Sequence, residues 1–180
     1  MAETAIKVGY NFDVQRLLAE AREFRIKYGD EKTEQLCVTG TVSTADHNEG
    51  SGSLNYHWPN MTTRVLKENP SKEEDFTVFL DMFKGTYTEE VYNKLTECFK
   101  IGRLRFMYVS PKRCYSWHKD ATPRIHVPLY TDHTQAALII EDSIIRMPAD
   151  GNAYIVDTTK YHTAFNAWIE TRIHLVGVLL

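Results

Sequence analysis

Past Lys100 the chain becomes a series of short alternating segments with no helix between them. This limits the fold more than any other feature. The segment "GRLRFMYVS" sets Leu104, Phe106 and Tyr108 against Arg103, Arg105 and Met107. Residues two apart in a strand share a face, so this is strand periodicity. "RIHVPL", "AALIIE", "SIIRM", "AYIVD" and "RIHLVGVLL" follow, with turn chemistry such as "PADGN" between them. Roughly six short strands at close spacing indicate an antiparallel sandwich or barrel.

The preceding hundred residues read differently. "DVQRLLAEAREFRIK" (13–27) predicts a helix capped by Asp13, with Val14, Leu17, Leu18, Ala21 and Phe24 in one apolar stripe. "QLCVTG" (35–40) reads as a short strand. Residues 41–60 form a long loop of small and polar residues that carries His47, His57 and Trp58. Such a loop is either simply exposed or folds over a site as a lid. Ser71 and Glu74 have capping-box spacing at the start of "SKEEDFTVFLDMF". Residues 88–100 predict a further helix, with Val91, Leu95, Cys98 and Phe99 on its inner face. The expected organisation is one domain over 1–180, helical over 1–100 and a β core over 101–180.

Composition excludes several classes. With 43% hydrophobic and 12% aromatic residues the chain can bury a proper core. A formal net charge of −3 gives no field suited to nucleic acid or an anionic membrane. No apolar run reaches about 18 residues, so no membrane span is expected. "MAETAIKVGYNFDVQ" lacks the basic and apolar regions of a secretory signal. Cys37, Cys98 and Cys114 are odd in number and dispersed, with no C-x-x-C, which fits a reducing, cytoplasmic setting.

The chemistry concentrates in "YSWHKDATPRIHVPL" (115–129). His118 and Asp120, if extended, aim an imidazole and a carboxylate at one point; Arg124 and His126 share a face in the same way. A second "RIH", Arg172 to His174, lies in the last strand. Unpaired charges inside a small barrel are costly, and a metal with an anionic ligand would compensate them. A His-x-Asp pair with a distant histidine is the two-histidine, one-carboxylate pattern that leaves open positions on Fe(II). His162 in "TTKYHTAFN" is the candidate third ligand. Arg172, ten residues on, can hold a dicarboxylate through a bidentate pair.

Together with "GRLRFMYVSPKRCYSWHKD", "RIHVPLYTD", "MPADGNAYIVD" and "YHTAFN…TRIHLV", these residues resemble the aspartyl/asparaginyl β-hydroxylase group of Fe(II)- and 2-oxoglutarate-dependent oxygenases. That group includes bacterial free-proline hydroxylases. The resemblance covers roughly residues 75–180. It implies a mainly β fold, a double-stranded β-helix (jelly-roll, cupin-like) barrel with N-terminal helices. It implies His118, Asp120 and His162 as ligands and Arg172 as the clamp for the remote carboxylate of 2-oxoglutarate. Arg124 and His126 match an R-x-H motif near the iron-bound end of that co-substrate. Some animal relatives have glycine in place of the carboxylate ligand, and halogenating relatives also lack it. Asp120 therefore resembles the complete-triad branch and points to hydroxylation. The implied cofactors are Fe(II), 2-oxoglutarate and O2, with ascorbate as an aid in vitro. The implied reaction hydroxylates an unactivated C–H and converts 2-oxoglutarate to succinate and CO2.

Several readings stay open at this level. The substrate is a small amino acid or a residue within a peptide; a peptidyl aspartyl/asparaginyl β-hydroxylase is the close alternative. A non-catalytic cupin-like module that binds a metal or small anion is the competing class. Zinc, nickel or manganese could fill the same ligand set. Arg124 and His126 could be a polar pair supporting the wall. His174 could back the metal or touch a ligand, and Arg105 could be a surface cation or meet a substrate carboxylate. Tyr115 and Trp117 wall the pocket or merely pack, and His133 reads as a surface turn. The "RIH" echo reads as two facing strands that offer cations to one anion-binding cavity.

Overall fold

The computed structural model describes residues 4–29, 34–57, 63 and 65–180. Its N-terminal half contributes strands β1 (Ala5–Val8), β2 (Gln35–Cys37), β3 (Thr39–Gly40), β4 (Tyr56–His57), β5 (Val65–Leu66) and β6 (Val78–Phe79). The rest are β7 (Ile101–Val109), β8 (Arg113–Cys114), β9 (Arg124–Tyr130), β10 (Ala136–Ile140), β11 (Ser143–Ile145), β12 (Ala153–Val156), β13 (His162–Asn166) and β14 (Arg172–Leu179). The α-helices are α1 (Val14–Tyr28) and α2 (Tyr87–Thr96). Strands pair antiparallel into a large sheet, β1-β12-β9-β14-β7-β2, and a smaller one, β11-β10-β13-β8. This is the expected jelly roll. The first hundred residues are less helical than expected, because β1 and β2 add an edge strand to each side of the large sheet.

Both faces of the large sheet are covered, each by a different kind of surface. Phe106, Leu175 and Val127 form one cross-strand row, with Tyr108 beside Ile173. They bury against Leu17, Leu18, Ala21 and Phe24 of α1 in the main core. Each leucine or phenylalanine fully buried there contributes about 1.5–3 kcal/mol. Asp13 starts α1 as expected, its carboxylate accepting from the Gln15 and Arg16 amides at 3.1 and 3.0 Å. The opposite face carries the row Arg105, Val176, His126 and Tyr154, and it looks into the barrel.

Two expected helical features are corrected. Residues 73–75 form only a short 3-10 turn, in which the Lys72 amide donates to Asp75 Oδ2 at 2.7 Å, while Ser71 Oγ bonds Glu49 instead. Phe76, fully buried, pulls the chain into the core and ends the turn. The second helix stops at Thr96, so Cys98 lies beyond it and is exposed. The N-terminus of α2 is capped from outside: the Glu20 carboxylate accepts from the Tyr87 and Thr88 amides at 2.7 and 2.8 Å.

The 3-10 turn lies directly on β7. A Cβ at Gly102 would overlap the Glu73 carbonyl oxygen, a backbone atom that cannot step aside. Gly102→Ala is therefore expected to destabilise the fold by about 1–3 kcal/mol. Chemical denaturation of the two proteins measures this.

Candidate functional site

His118, Asp120 and His162 come together although 44 residues separate the histidines. The cause is backbone pairing. The His118 amide donates to the His162 carbonyl at 3.0 Å, and the His162 amide returns a bond of 2.8 Å. This isolated bridge sets the two rings 4.3 Å apart between centroids. His118 and Asp120 sit in extended chain rather than a full strand. The Asp120 amide is held by the Thr158 carbonyl at 2.9 Å. One ligand atom from each residue falls within 4.8 Å of the others.

The donor chemistry fits a divalent metal. His118 Nδ1 lies 2.7 Å from the Ser116 carbonyl and His162 Nδ1 lies 3.0 Å from the Lys160 carbonyl. A carbonyl only accepts, so each Nδ1 carries the proton and each Nε2 is left with its lone pair. His162 Nε2 is 3.8 Å from Asp120 Oδ2, a span a metal could bridge. Burial holds the His162 imidazole below its ordinary range and so favours the neutral, ligating form.

Behind Asp120 stands an ion network. Arg124 Nε is 3.1 Å from Asp120 Oδ2, and its NH2 is 3.0 Å from Glu73 Oε2. Arg103 NH2 donates to Glu73 Oε1 at 2.6 Å. Arg103 NH1 also donates to the Gly50 and Gly52 carbonyls, at 3.0 and 3.2 Å. Arg124 and Arg103, both buried, thus have acidic partners.

Two other buried arginines do not. They line a cavity of about 530 Å³ between the sheets, next to the histidine–aspartate cluster. Arg172 donates through Nε to His174 at 3.0 Å and meets no carboxylate among the described residues. Burial pushes its guanidinium down to about 10. Arg105 is 8% exposed, and its Nε and NH1 are buried without a partner. This decides between the two readings of Arg105: it faces inward. Both ring nitrogens of His126 are also unpartnered and buried. The "RIH" echo has a simple origin. Strands β9 and β14 are antiparallel neighbours in one sheet, not strands facing across the barrel, so both motifs open on the same cavity.

His126 and His174 give a pH signature. Burial first, then the Arg172 charge, holds both imidazoles well below their ordinary range. Arg124, His162 and Arg105 add to this at His126, and His126 adds to it at His174. The folded protein keeps them neutral, whereas the unfolded chain protonates them near pH 6.5. Their share of stability is thus intact above about pH 6.5 and lost as the pH falls below it. Each group sets a slope of up to about 1.4 kcal/mol per pH unit. Urea unfolding is expected to show stability falling as the pH drops from about 6.5 toward 5, with a shallower fall in His126→Gln.

The remaining expected residues divide. Tyr115 lines the cavity, while Trp117 is 49% exposed and does not. His133 is exposed as expected. His47 lies 3.2 Å from the Tyr28 carbonyl, which ties the long loop to the end of α1. Ser53 and Tyr56 of that loop line the cavity. Trp58 and the His57 side chain lie outside the described residues. Glu73 escaped the sequence reading as a site residue. Asn166 did too: its fully buried side-chain amide donates to the Val109, Ser110 and Glu170 carbonyls and shapes the turn before Arg172.

No helix among the described residues is long and apolar enough to cross a membrane. Comparison with solved structures bears on the fold. An oxidoreductase of the 2OG-Fe(II) oxygenase family from Burkholderia pseudomallei matches with a TM-score of 0.54 at 11% identity, over 98% of this chain and 84% of that one. AviO1 from Streptomyces viridochromogenes Tue57 matches with a TM-score of 0.50 at 12% identity, over 98% and 89%. The viral collagen prolyl hydroxylase of Paramecium Bursaria Chlorella virus-1 matches with a TM-score of 0.50 at 10% identity, over 99% and 96%. No curated protein matches in sequence. The family model for aspartyl/asparaginyl beta-hydroxylase matches residues 38–178, reaching further toward the N-terminus than the motifs alone suggested. The match spans the strands from β3 onward, the histidine–aspartate cluster and both buried arginines that lack an acidic partner among the described residues: the chain belongs to the aspartyl/asparaginyl β-hydroxylase family.

Proposed function

We propose that this protein is an Fe(II)- and 2-oxoglutarate-dependent oxygenase that hydroxylates an unactivated C–H of a carboxylate-bearing substrate, a free amino acid foremost. The observation that carries the reading is the pairing of two Nδ1-protonated histidines and Asp120 with a buried Arg172 that has no carboxylate partner among the described residues, in one cavity. His118, Asp120 and His162 would hold the metal. Arg172 would take the remote carboxylate of 2-oxoglutarate, and His126, with both nitrogens free, would donate to the co-substrate nearer the metal. When bound, iron and 2-oxoglutarate supply the oxidising power that inserts oxygen, with succinate and CO2 as co-products. The chain's own part is to orient both reactants and keep competing water out.

Arg105 supports the substrate class. It pairs across the sheet with Val176, whereas Arg172 pairs with Val109, so the two arginines are offset by about 13 Å along β14. Two guanidiniums so placed, neither with an acidic partner among the described residues, suit two different anions. The second would be the substrate's carboxylate, and a compact cavity of about 530 Å³ favours a small molecule over a folded domain. An aspartyl side chain in a peptide offers the same carboxylate and is the second reading.

The test is succinate formation against a panel of free amino acids, their amides and short acidic peptides. Free acids should stimulate and the matching amides should not. Arg105→Gln should raise the substrate KM by about 10–100-fold and leave the 2-oxoglutarate KM near that of wild type. Stimulation by peptides alone would favour the second reading.

A further inference from the structure

The ion network behind Asp120 reaches a residue outside the barrel strands. We propose that Glu73 is a positioning residue for the metal centre: bridging Arg103 and Arg124, it fixes the guanidinium that orients the Asp120 carboxylate. The inference rests on reading His118, Asp120 and His162 as metal ligands.

Three observations support it. First, Arg124 is used on every side. Its Nε meets Asp120 Oδ2 at 3.1 Å, its NH2 meets Glu73 Oε2 at 3.0 Å, and its NH1 donates to the Thr122 hydroxyl and carbonyl at 2.9 and 3.1 Å. Only the Thr122 contacts have hydrogen-bond geometry; the two carboxylates act as close ion pairs, and Glu73 Oε2 makes no hydrogen bond. Opposite charge on two sides and acceptors on the third thus restrict how the guanidinium can turn. Second, Glu73 offers one oxygen to each of two arginines, with Oε1 on Arg103 at 2.6 Å. Without it, Asp120 would be the only carboxylate paired with Arg124 among the described residues. The carboxylate would then be drawn toward the arginine and away from the metal. Third, the approach of Glu73 is built into the backbone. The turn at 73–75 lies against Gly102, where any side chain would collide with the Glu73 carbonyl. Phe76 then anchors the turn in the core, beside Gly50.

The simpler alternative is that Glu73 serves only to neutralise buried Arg103. The two roles differ in what they do to the metal. A neutralising residue affects unfolding alone. A positioning residue affects metal affinity in protein that is fully folded, and does so through Arg124.

The experiment titrates metal-free full-length protein with Co(II), following heat and the visible ligand-field absorption, for wild type, Glu73→Gln, Arg124→Lys and the double variant. Groups that orient metal ligands typically contribute 10–100-fold in affinity. Glu73→Gln is expected to weaken Co(II) binding by about tenfold and to shift the absorption. Arg124→Lys should do the same, and the double variant should bind no more weakly than the weaker single one. If Glu73→Gln fails to fold, Glu73→Asp keeps the charge but withdraws it by one methylene, and a smaller loss of affinity is expected. Affinity and spectrum unchanged in the folded Glu73 variant would overturn the inference, as would losses that multiply in the double variant. Wild-type protein whose Co(II) binding ignores Asp120→Ala would instead overturn the metal-centre reading beneath it.

Discussion

His162→Ala is expected to abolish 2-oxoglutarate turnover while leaving the barrel folded. The bonds that set His162 opposite His118 are backbone bonds, so alanine keeps the bridge and removes only the ring. On the proposed reading, what disappears is one of two nitrogen ligands, which would leave His118 and Asp120 to hold the metal alone. The loss in affinity should exceed the 10–100-fold that follows removal of a group merely supporting a ligand. The measurement pairs Co(II) titration with succinate formation, with thermal unfolding as the check on folding. A variant that binds metal as tightly as wild type would remove His162 from the ligand set.

Arg172→Met is expected to separate function from stability. In the free protein Arg172 is a buried cation that bonds neutral His174 and meets no carboxylate among the described residues, so its replacement by a side chain of similar volume should leave stability unchanged or raise it. On the proposed reading the same change removes the cation that would receive the distal carboxylate of 2-oxoglutarate. Truncating one partner of a buried charge pair costs about 2–5 kcal/mol, so KM should rise by roughly 30-fold to several thousand-fold. Arg172→Lys keeps charge but loses the fork, and an intermediate effect is expected. Unchanged affinity for 2-oxoglutarate with lowered stability would mean that Arg172 is structural.

How far the sequence could be read depended on whether one strand or several elements determined a feature. The run of short apolar and alternating segments identified β7, β9, β10, β11, β12 and β14 and the two-residue offsets that place His118 with Asp120, Arg124 with His126 and Arg172 with His174. Strand β8 has two residues, and β13, "HTAFN", mixes polar with apolar residues, so neither carries a pattern that periodicity can detect. Arg105 was ambiguous for a physical reason. Alternation separates two faces but does not say which is interior, and in β7 both are buried. Glu73 was invisible because its partners lie 30 and 51 residues away. The external cap that Glu20 places on α2 bridges 67 residues and was equally hidden. The acidic run at 73–75 looked like a helix start because the pull of Phe76 into the core is a tertiary effect.

The most direct measurement is succinate formed from 2-oxoglutarate by wild-type protein in air, with Fe(II) and ascorbate, with and without a free amino acid panel. Succinate that requires Fe(II), that rises with a carboxylate-bearing substrate and that is lost in His118→Ala is expected. Protein that takes up Fe(II) and 2-oxoglutarate in this cavity yet forms no succinate with any amino acid or peptide would contradict the oxygenase reading. It would leave the chain as a jelly-roll module that binds a metal and a small anion.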